Sequence, residues 1–139
     1  MVSRVYGIGA LKTYKYVVIL STYRGKLMLS RHRMRTTWET QGGHVEPGET
    51  PMEAARRELY EESGALQYAI RPVFDYWAGD EETGEGATGR VFAAEIHELG
   101  PMPESEIAEV RLFDALPENL TYPEITPELY ARLFGGERA

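Results

Sequence analysis

The sequence contains no cysteine among its 139 residues. Disulfide frameworks, thiolate zinc sites and cysteine nucleophiles are therefore excluded, which is compatible with an intracellular protein. No apolar run approaches the roughly 20 residues that cross a bilayer. The first 16 residues also lack the continuous apolar core of a signal peptide. We therefore expect a cytoplasmic protein with no membrane partner.

Positive charge is scarce, because 15 lysines and arginines oppose 22 acidic residues and give a formal net charge of −7. Binding to a nucleic acid polymer is not expected, since that affinity comes largely from basic side chains. A small phosphorylated ligand is compatible with the acidity if carboxylates first bind metal cations. With 42% hydrophobic residues the chain can bury a core, and we expect residues 1–139 to form one domain.

The chain alternates β-rich segments with turns and two helical segments. Strands are predicted at 14–22, 26–29, 69–77, 90–96 and 110–113. A glycine-rich loop is predicted at 42–49, and a short C-terminal helix at about 127–134. This irregular order favours an α/β fold in which helices cover a mixed sheet.

The clearest helix follows the glycine-rich loop. Thr50 is an N-cap residue, Pro51 suits the first helical position, and Glu53 completes a capping box. We expect the helix to continue to about Ser63 and to end at Gly64. Its apolar residues form a stripe that can pack on a sheet.

Three glutamates share one face of this helix. At about 100° per residue, Glu58, Glu61 and Glu62 fall within an arc of roughly 100°. Crowded carboxylates repel one another, whereas Mg²⁺ or Mn²⁺ neutralises them and can bridge substrate phosphates. A solvated acidic face with ordinary ion pairs is the simpler interpretation, and clustering alone favours it.

The spacing of these residues resembles the signature of Nudix hydrolases, GX5EX7REUXEEXGU, in which U is a bulky aliphatic residue. Eight of nine constrained positions match within 43–65. The matching residues are Gly43, Glu49, Arg57, Glu58, Leu59, Glu61, Glu62 and Gly64. Ala65 departs at the last aliphatic position, and Gln41 stands where many members have proline, which we expect to alter the rigidity of the loop. Neither departure removes a carboxylate.

This resemblance implies a Nudix-like α/β/α sandwich with a mixed sheet and a catalytic loop-helix-loop. It implies that Glu58 and Glu62 bind Mg²⁺ or Mn²⁺, and that Glu61 does so directly or through water. The Gly42 carbonyl is a further expected ligand.

The resemblance also implies a structural ion pair and a general base. Glu49 and Arg57 are expected to pair and to hold the loop against the helix. The base varies within the family, and the loop glutamates Glu104, Glu106 and Glu109 are candidates here. Of these we choose Glu106.

The reaction that the resemblance implies is attack of activated water on phosphorus in a nucleoside diphosphate linked to a group X. Our first hypothesis is that the substrate is a nucleoside triphosphate, with oxidised and noncanonical nucleotides included, and that it is split into monophosphate and pyrophosphate. Hydrolysis of ADP-ribose, a nucleotide sugar or a dinucleoside polyphosphate stays open. So does a nucleotide-sensing module without activity, and homodimer formation is compatible with every one of these.

Candidate substrate-binding residues lie outside the signature. Arg31 and Arg33 could contact phosphates, although a solvated turn explains them equally well. Trp38 and Tyr122 could stack on a base, although aromatic residues belong more often to the core. By analogy with relatives that act on triphosphates, Glu124 could read the base.

Overall fold

The computed structural model describes residues 1–135. In chain order the elements are β1 (Val2–Tyr6), β2 (Tyr16–Tyr23), β3 (Lys26–His32), β4 (Gln41–His44), α1 (Pro51–Ser63), β5 (Ala65–Gly79), β6 (Gly86–Leu99), β7 (Ile107–Phe113) and α2 (Thr126–Tyr130). A π-helical turn, Ala131–Gly135, continues α2. The predicted single domain also includes 136–139, which lie outside the described residues.

The seven strands form one mixed sheet in the order β1-β5-β6-β2-β3-β7, with β4 also paired to β2. Strands β2 and β6 are parallel, and the other strand pairings are antiparallel. Helix α1 covers one face, whereas α2 and the turn after it cover the other. The predicted α/β/α sandwich with a mixed sheet is therefore confirmed. Within residues 1–135 no helix is long and apolar enough to cross a membrane.

Strand β2 is apolar on both faces because it lies in the middle of the sheet. Val17 and Ile19 pack towards α1, together with Phe92 of β6. Leu20 points to the opposite face and packs with Leu129 of α2. Alternation along this one strand thus contributes side chains to both cores.

The capping residues predicted for α1 are confirmed. The Glu53 N–H donates to the Thr50 hydroxyl at 3.1 Å, and the Thr50 N–H donates to the Glu53 carboxylate at 2.8 Å. Gly64 ends the helix with φ of 78°, a left-handed conformation that favours glycine. Ala55 and Leu59 are completely buried against the sheet. The local sequence therefore fixes both where α1 begins and which face it buries.

Two strands were missed by the sequence analysis. Strand β1 pairs with the end of β5, from Val2 opposite Gly79 to Tyr6 opposite Asp75. Strand β4 occupies the first part of the segment predicted as a loop, because the free edge of β2 supplies backbone hydrogen-bond partners that outweigh the low strand propensity of glycine. The expectation that Gln41 alters a loop is therefore wrong, since Gln41 begins β4.

Several other strands and the C-terminal helix differ in length from the prediction. Strands β3, β5, β6 and β7 extend beyond their predicted ranges, because pairing with neighbours continues past the β-rich core of each segment. The predicted C-terminal helix is α-helical only over Thr126–Tyr130 and then widens into the π-helical turn.

The second core, beneath α2, contains one buried polar group that generates a stability prediction. Tyr130 is 4% exposed, and its hydroxyl has no hydrogen-bond partner within residues 1–135. An unpaired buried hydroxyl costs about 1 kcal/mol or more. Tyr130→Phe should therefore raise the free energy of unfolding by about 1 kcal/mol, measured by urea denaturation. A loss of stability in this variant would show that the hydroxyl has a partner.

Candidate active site

Helix α1 approaches β4 at two consecutive glycines. The Gly42 N–H donates to Glu62 Oε1 at 2.7 Å. A Cβ built on Gly43 would lie 2.6 Å from Glu58 Oε2, so that the carboxylate occupies the space of a missing side chain. Glu58 and Glu62 are one helical turn apart. The double glycine therefore lets two carboxylates lie directly against the strand.

Gly42 must also lack a side chain because β4 lies close to the backbone of β2. A Cβ at this position would lie 2.4 Å from the Val17 carbonyl oxygen of β2. Any larger residue would separate β4 from β2 and carry the Gly42 N–H away from Glu62. The close approach of β2, β4 and α1 thus depends on this glycine.

Arg57 connects the loop before α1 to the helix. Its Nε and Nη2 donate to the two carboxylate oxygens of Glu49 at 2.7 Å and 2.9 Å, which is a bidentate ion pair. Nη2 also donates to the His44 carbonyl at 3.1 Å. Nη1 donates to Glu58 Oε1 at 2.5 Å and lies 3.5 Å from Glu61 Oε2. One guanidinium therefore holds the loop and contacts two of the three glutamates predicted to bind the metal.

Negative charge is in excess around Glu62. Burial raises the pKa of its carboxyl to about 8, against the hydrogen bond from Gly42, and repulsion from Glu58, Glu39 and Glu61 adds to the rise. Burial also raises the pKa of Glu58, although Arg57 partly offsets it. The positive charge near these two carboxylates is therefore too small to balance their ionised forms.

The donor set fits a hard divalent cation in its chemistry. Carboxylates and a backbone carbonyl are the oxygen ligands that Mg²⁺ and Mn²⁺ prefer, and a cation would relieve the repulsion at Glu62. Within residues 1–135 no three acidic or histidine side chains converge closely enough to enclose an ion as they stand. Binding of such an ion would therefore require Glu58, Glu61 and Glu62 to draw together, with Glu58 giving up part of its contact with Arg57.

The candidate base and one candidate phosphate ligand lie beside each other at the end of β3. The Arg33 N–H donates to the Glu106 carbonyl at 2.8 Å, and the Arg33 side chain is exposed. His32 Nε2 lies 3.1 Å from Glu106 Oε2, and its Nδ1 accepts from the Met34 N–H at 3.1 Å. Because Nδ1 accepts, the neutral ring carries its proton on Nε2 and donates to Glu106. The sequence analysis did not pair His32 with this glutamate.

The other basic candidate, Arg31, is half-buried in contacts with the protein. One of its nitrogens donates to the Arg35 carbonyl at 3.2 Å, and another lies 3.4 Å from a carboxylate oxygen of Glu109. Glu109, one of the glutamates considered as a base, also accepts from Arg111 at 2.8 Å. These bonds occupy Glu109 and leave Glu106 freer to accept a proton.

Trp38 is a core residue in this structure. Its side chain is 5% exposed and packs with Leu29 and Leu120. The Phe113 ring lies against it at 5.1 Å, and the Arg111 guanidinium lies over it at 4.9 Å. The expectation that a base stacks on Trp38 does not agree with this packing, because no open ring face remains.

Tyr122, which is 45% exposed, lies beside Arg35, a residue that the sequence analysis did not identify. Arg35 donates to both carboxylate oxygens of Glu39 at 3.1 Å, and its pKa is raised first by the charge of Glu39 and then by Tyr122. Glu39 in turn contributes to the raised pKa of Glu62. Glu124 is exposed on the same loop. The pairing of Arg35 with Glu39 lies in an irregular segment, where spacing carries no information about contacts.

Comparison with known proteins agrees with this geometry. A family model described as the NUDIX domain matches residues 13–132. The chain therefore belongs to the Nudix hydrolase family. Its fold is similar to the crystal structure of a mutant of the Bacillus subtilis pyrophosphohydrolase BsRppH, with a TM-score of 0.80, 24% identity, and coverage of 97% of this chain and 90% of that one. At this identity the likeness shows the fold alone.

Two sequence relatives have more specific names. The chain is 33% identical over 108 residues to a protein of Bacillus subtilis (strain 168) provisionally named 8-oxo-dGTP diphosphatase YtkD, covering 77% of this chain and 66% of that protein. It is 38% identical over 56 residues to an RNA pyrophosphohydrolase of Francisella philomiragia, covering 40% of this chain and 36% of that protein. The matches thus span two thirds or less of these relatives.

The ion pair between Glu49 and Arg57 predicts a dependence of stability on pH. Hydrogen bonds from Arg57 lower the pKa of Glu49 from 4.5 to about 2. Because the lowered pKa belongs to the folded state, the pair stabilises the protein above about pH 5 and loses its effect as the pH falls towards 2. Glu49→Gln should therefore be less stable than the parent at pH 7, and the difference should shrink by pH 3, measured by urea denaturation.

Glu98→Gln is the matched control for this comparison. Glu98 is exposed and forms no ion pair within residues 1–135. This variant should track the parent at each pH. A stability difference for Glu49→Gln that stayed constant from pH 7 to pH 3 would contradict the role given to the ion pair.

Proposed function

We propose that this chain hydrolyses a phosphoanhydride bond in a small nucleoside triphosphate with the help of Mg²⁺ or Mn²⁺, releasing monophosphate and pyrophosphate. The observation that carries the proposal is the arrangement of Glu58 and Glu62 against Gly43 and Gly42, with Glu61 beside them. These carboxylates and the Gly42 carbonyl would hold the ion.

When bound, the ion would supply positive charge next to the anhydride and would make water more acidic. The protein's own residues supply position. Arg57 keeps the loop and the helix together, and it contacts Glu58 and Glu61 on the same face of α1 as Glu62. Glu106 accepts the proton of the attacking water, and the proton on His32 Nε2 orients its carboxylate.

The remaining candidates bind the substrate. Arg31 and Arg33 attract the phosphates, and the exposed guanidinium of Arg33 is the freer of the two. Tyr122 stacks on the base, while Glu124 on the same loop accepts from its amino or imino groups. The name of the Bacillus subtilis relative supports an oxidised purine triphosphate as the preferred substrate.

A second candidate is pyrophosphate removal from the triphosphorylated end of RNA. The name of the Francisella philomiragia relative favours it. The net charge of −7 argues against tight binding to a polymer, and for this reason we place the small nucleotide first. Comparing a free nucleoside triphosphate with a short triphosphorylated RNA separates the two candidates.

The test is a substrate panel with Mg²⁺, read by mass spectrometry of the products. The panel contains standard and oxidised nucleoside triphosphates, ADP-ribose, nucleotide sugars, dinucleoside polyphosphates and a triphosphorylated RNA. Glu62→Gln should lower turnover by about 100-fold or more while the fold is retained, because a ligand of the ion is lost. Glu98→Gln, the same substitution at an exposed position far from α1 in sequence, should leave turnover unchanged.

The products decide between the alternatives. Pyrophosphate and monophosphate from a free triphosphate support the proposal, whereas cleavage of ADP-ribose alone would replace it with a different substrate class. Near-normal turnover in Glu62→Gln would overturn the assignment of the ligand. Binding of nucleotide without any cleavage would favour a sensing module.

A further inference from the structure

The strand that receives α1 begins with a completely buried glutamine. The Gln41 Nε2 donates to Ser30 Oγ at 2.9 Å and to the Met28 carbonyl at 3.3 Å. Its Oε1 accepts from the hydroxyl of Ser21. This orientation of the amide is fixed, because exchanging nitrogen and oxygen would place two acceptors against each other at Met28. Each polar atom of the side chain therefore has a partner in β2 or β3.

Among the described residues 1–135, this buried network reaches α1 through Ser30. The Ser30 hydroxyl donates to the Glu62 carbonyl at 2.8 Å. That carbonyl is among the last four of α1, which have no partner within the helix. Because Ser30 has one proton and gives it to Glu62, its oxygen accepts from Gln41. The bonds thus run in one direction, from Gln41 through Ser30 to the backbone of Glu62.

The next residue along the strand holds the other end of Glu62. The Gly42 N–H donates to the Glu62 carboxylate at 2.7 Å. Ser30, which accepts from Gln41, therefore holds the backbone of Glu62, and Gly42, the residue after Gln41, holds its carboxylate. Loss of the backbone bond would free the last turn of α1 to move along β4 and would change how Glu62 meets Gly42.

We propose that Gln41 and Ser30 are positioning residues for Glu62, which set the place of its carboxylate through the end of α1. The inference rests on the role proposed above for Glu62. The simpler alternative is that the network only satisfies buried polar groups and stabilises the fold. Ser21 separates the two, because it is completely buried and bonds to Gln41 but makes no hydrogen bond to α1.

The experiment compares Ser30→Ala and Gln41→Met with Ser21→Ala as the matched control. In metal-free protein, the NMR shift of the Gly42 amide proton reports its bond to Glu62. In Ser30→Ala and Gln41→Met this proton should move upfield, and the Mn²⁺ concentration for half-saturation should rise about 10-fold. At saturating Mn²⁺, kcat should fall with KM unchanged, because the substrate contacts remain.

The control should lose stability to a similar extent while keeping the Gly42 resonance and its Mn²⁺ affinity. Ser30→Thr, which retains the hydroxyl, should restore both properties relative to Ser30→Ala. Equal shifts of the Gly42 proton in Ser21→Ala and Ser30→Ala, or no shift in either, would overturn the inference. The NMR measurement needs neither ion nor turnover, so a parent protein without activity would refute the proposed function and leave this test intact.

Discussion

The close packing of α1 on β4 is the constraint on which the site depends. Two glycines in succession let a helix and a central strand approach each other, and two carboxylates of the helix fill the space. Strand β4 can occupy this position because it takes the first half of the β2 edge, whereas β3 takes the second half. The sheet order, the double glycine and the spacing of the glutamates therefore act together to bring the carboxylates of α1 against β4.

This packing is electrostatically unfavourable without a cation. Burying a carboxylate costs free energy unless it is paired, and Glu62 receives a hydrogen bond but no positive partner within residues 1–135. Arg57 is shared among Glu49, Glu58 and Glu61, so its charge cannot also neutralise Glu62. The capping box and the apolar stripe of α1 offset this cost. The divalent ion that we propose would relieve the remaining repulsion at Glu62.

The sequence predicted the parts of the structure that depend on local pattern. The N-cap, the capping box and the left-handed Gly64 follow from residues next to one another, and α1 agrees with the prediction at both ends. The spacing of the signature predicted the family, which the match over 13–132 confirms. Local rules suffice here because a helix determines the relative position of residues three and four apart.

Long-range contacts could not be predicted in this way. The formation of β4 depends on which edge of the sheet the chain returns to, and its glycine-rich sequence does not favour a strand. The burial of Trp38 depends on which part of the fold covers it, and the local sequence does not show this. The pairing of Arg35 with Glu39 and the buried bonds of Gln41 join irregular segments to strands. Polar residues at such positions are indistinguishable in sequence from solvated ones. The structure is needed to show that Gln41 is buried and fully bonded.

The most direct test of the account is the thermal stability of metal-free protein titrated with Mn²⁺, compared between the parent and Glu62→Gln at pH 7. An ion that binds only the folded state stabilises it by about 2.7 kcal/mol at 100 times its Kd. We predict that Mn²⁺ raises the Tm of the parent and has little effect on the variant. An equal response in the two proteins, or none in the parent, would contradict the claim that α1 and β4 form a cation site.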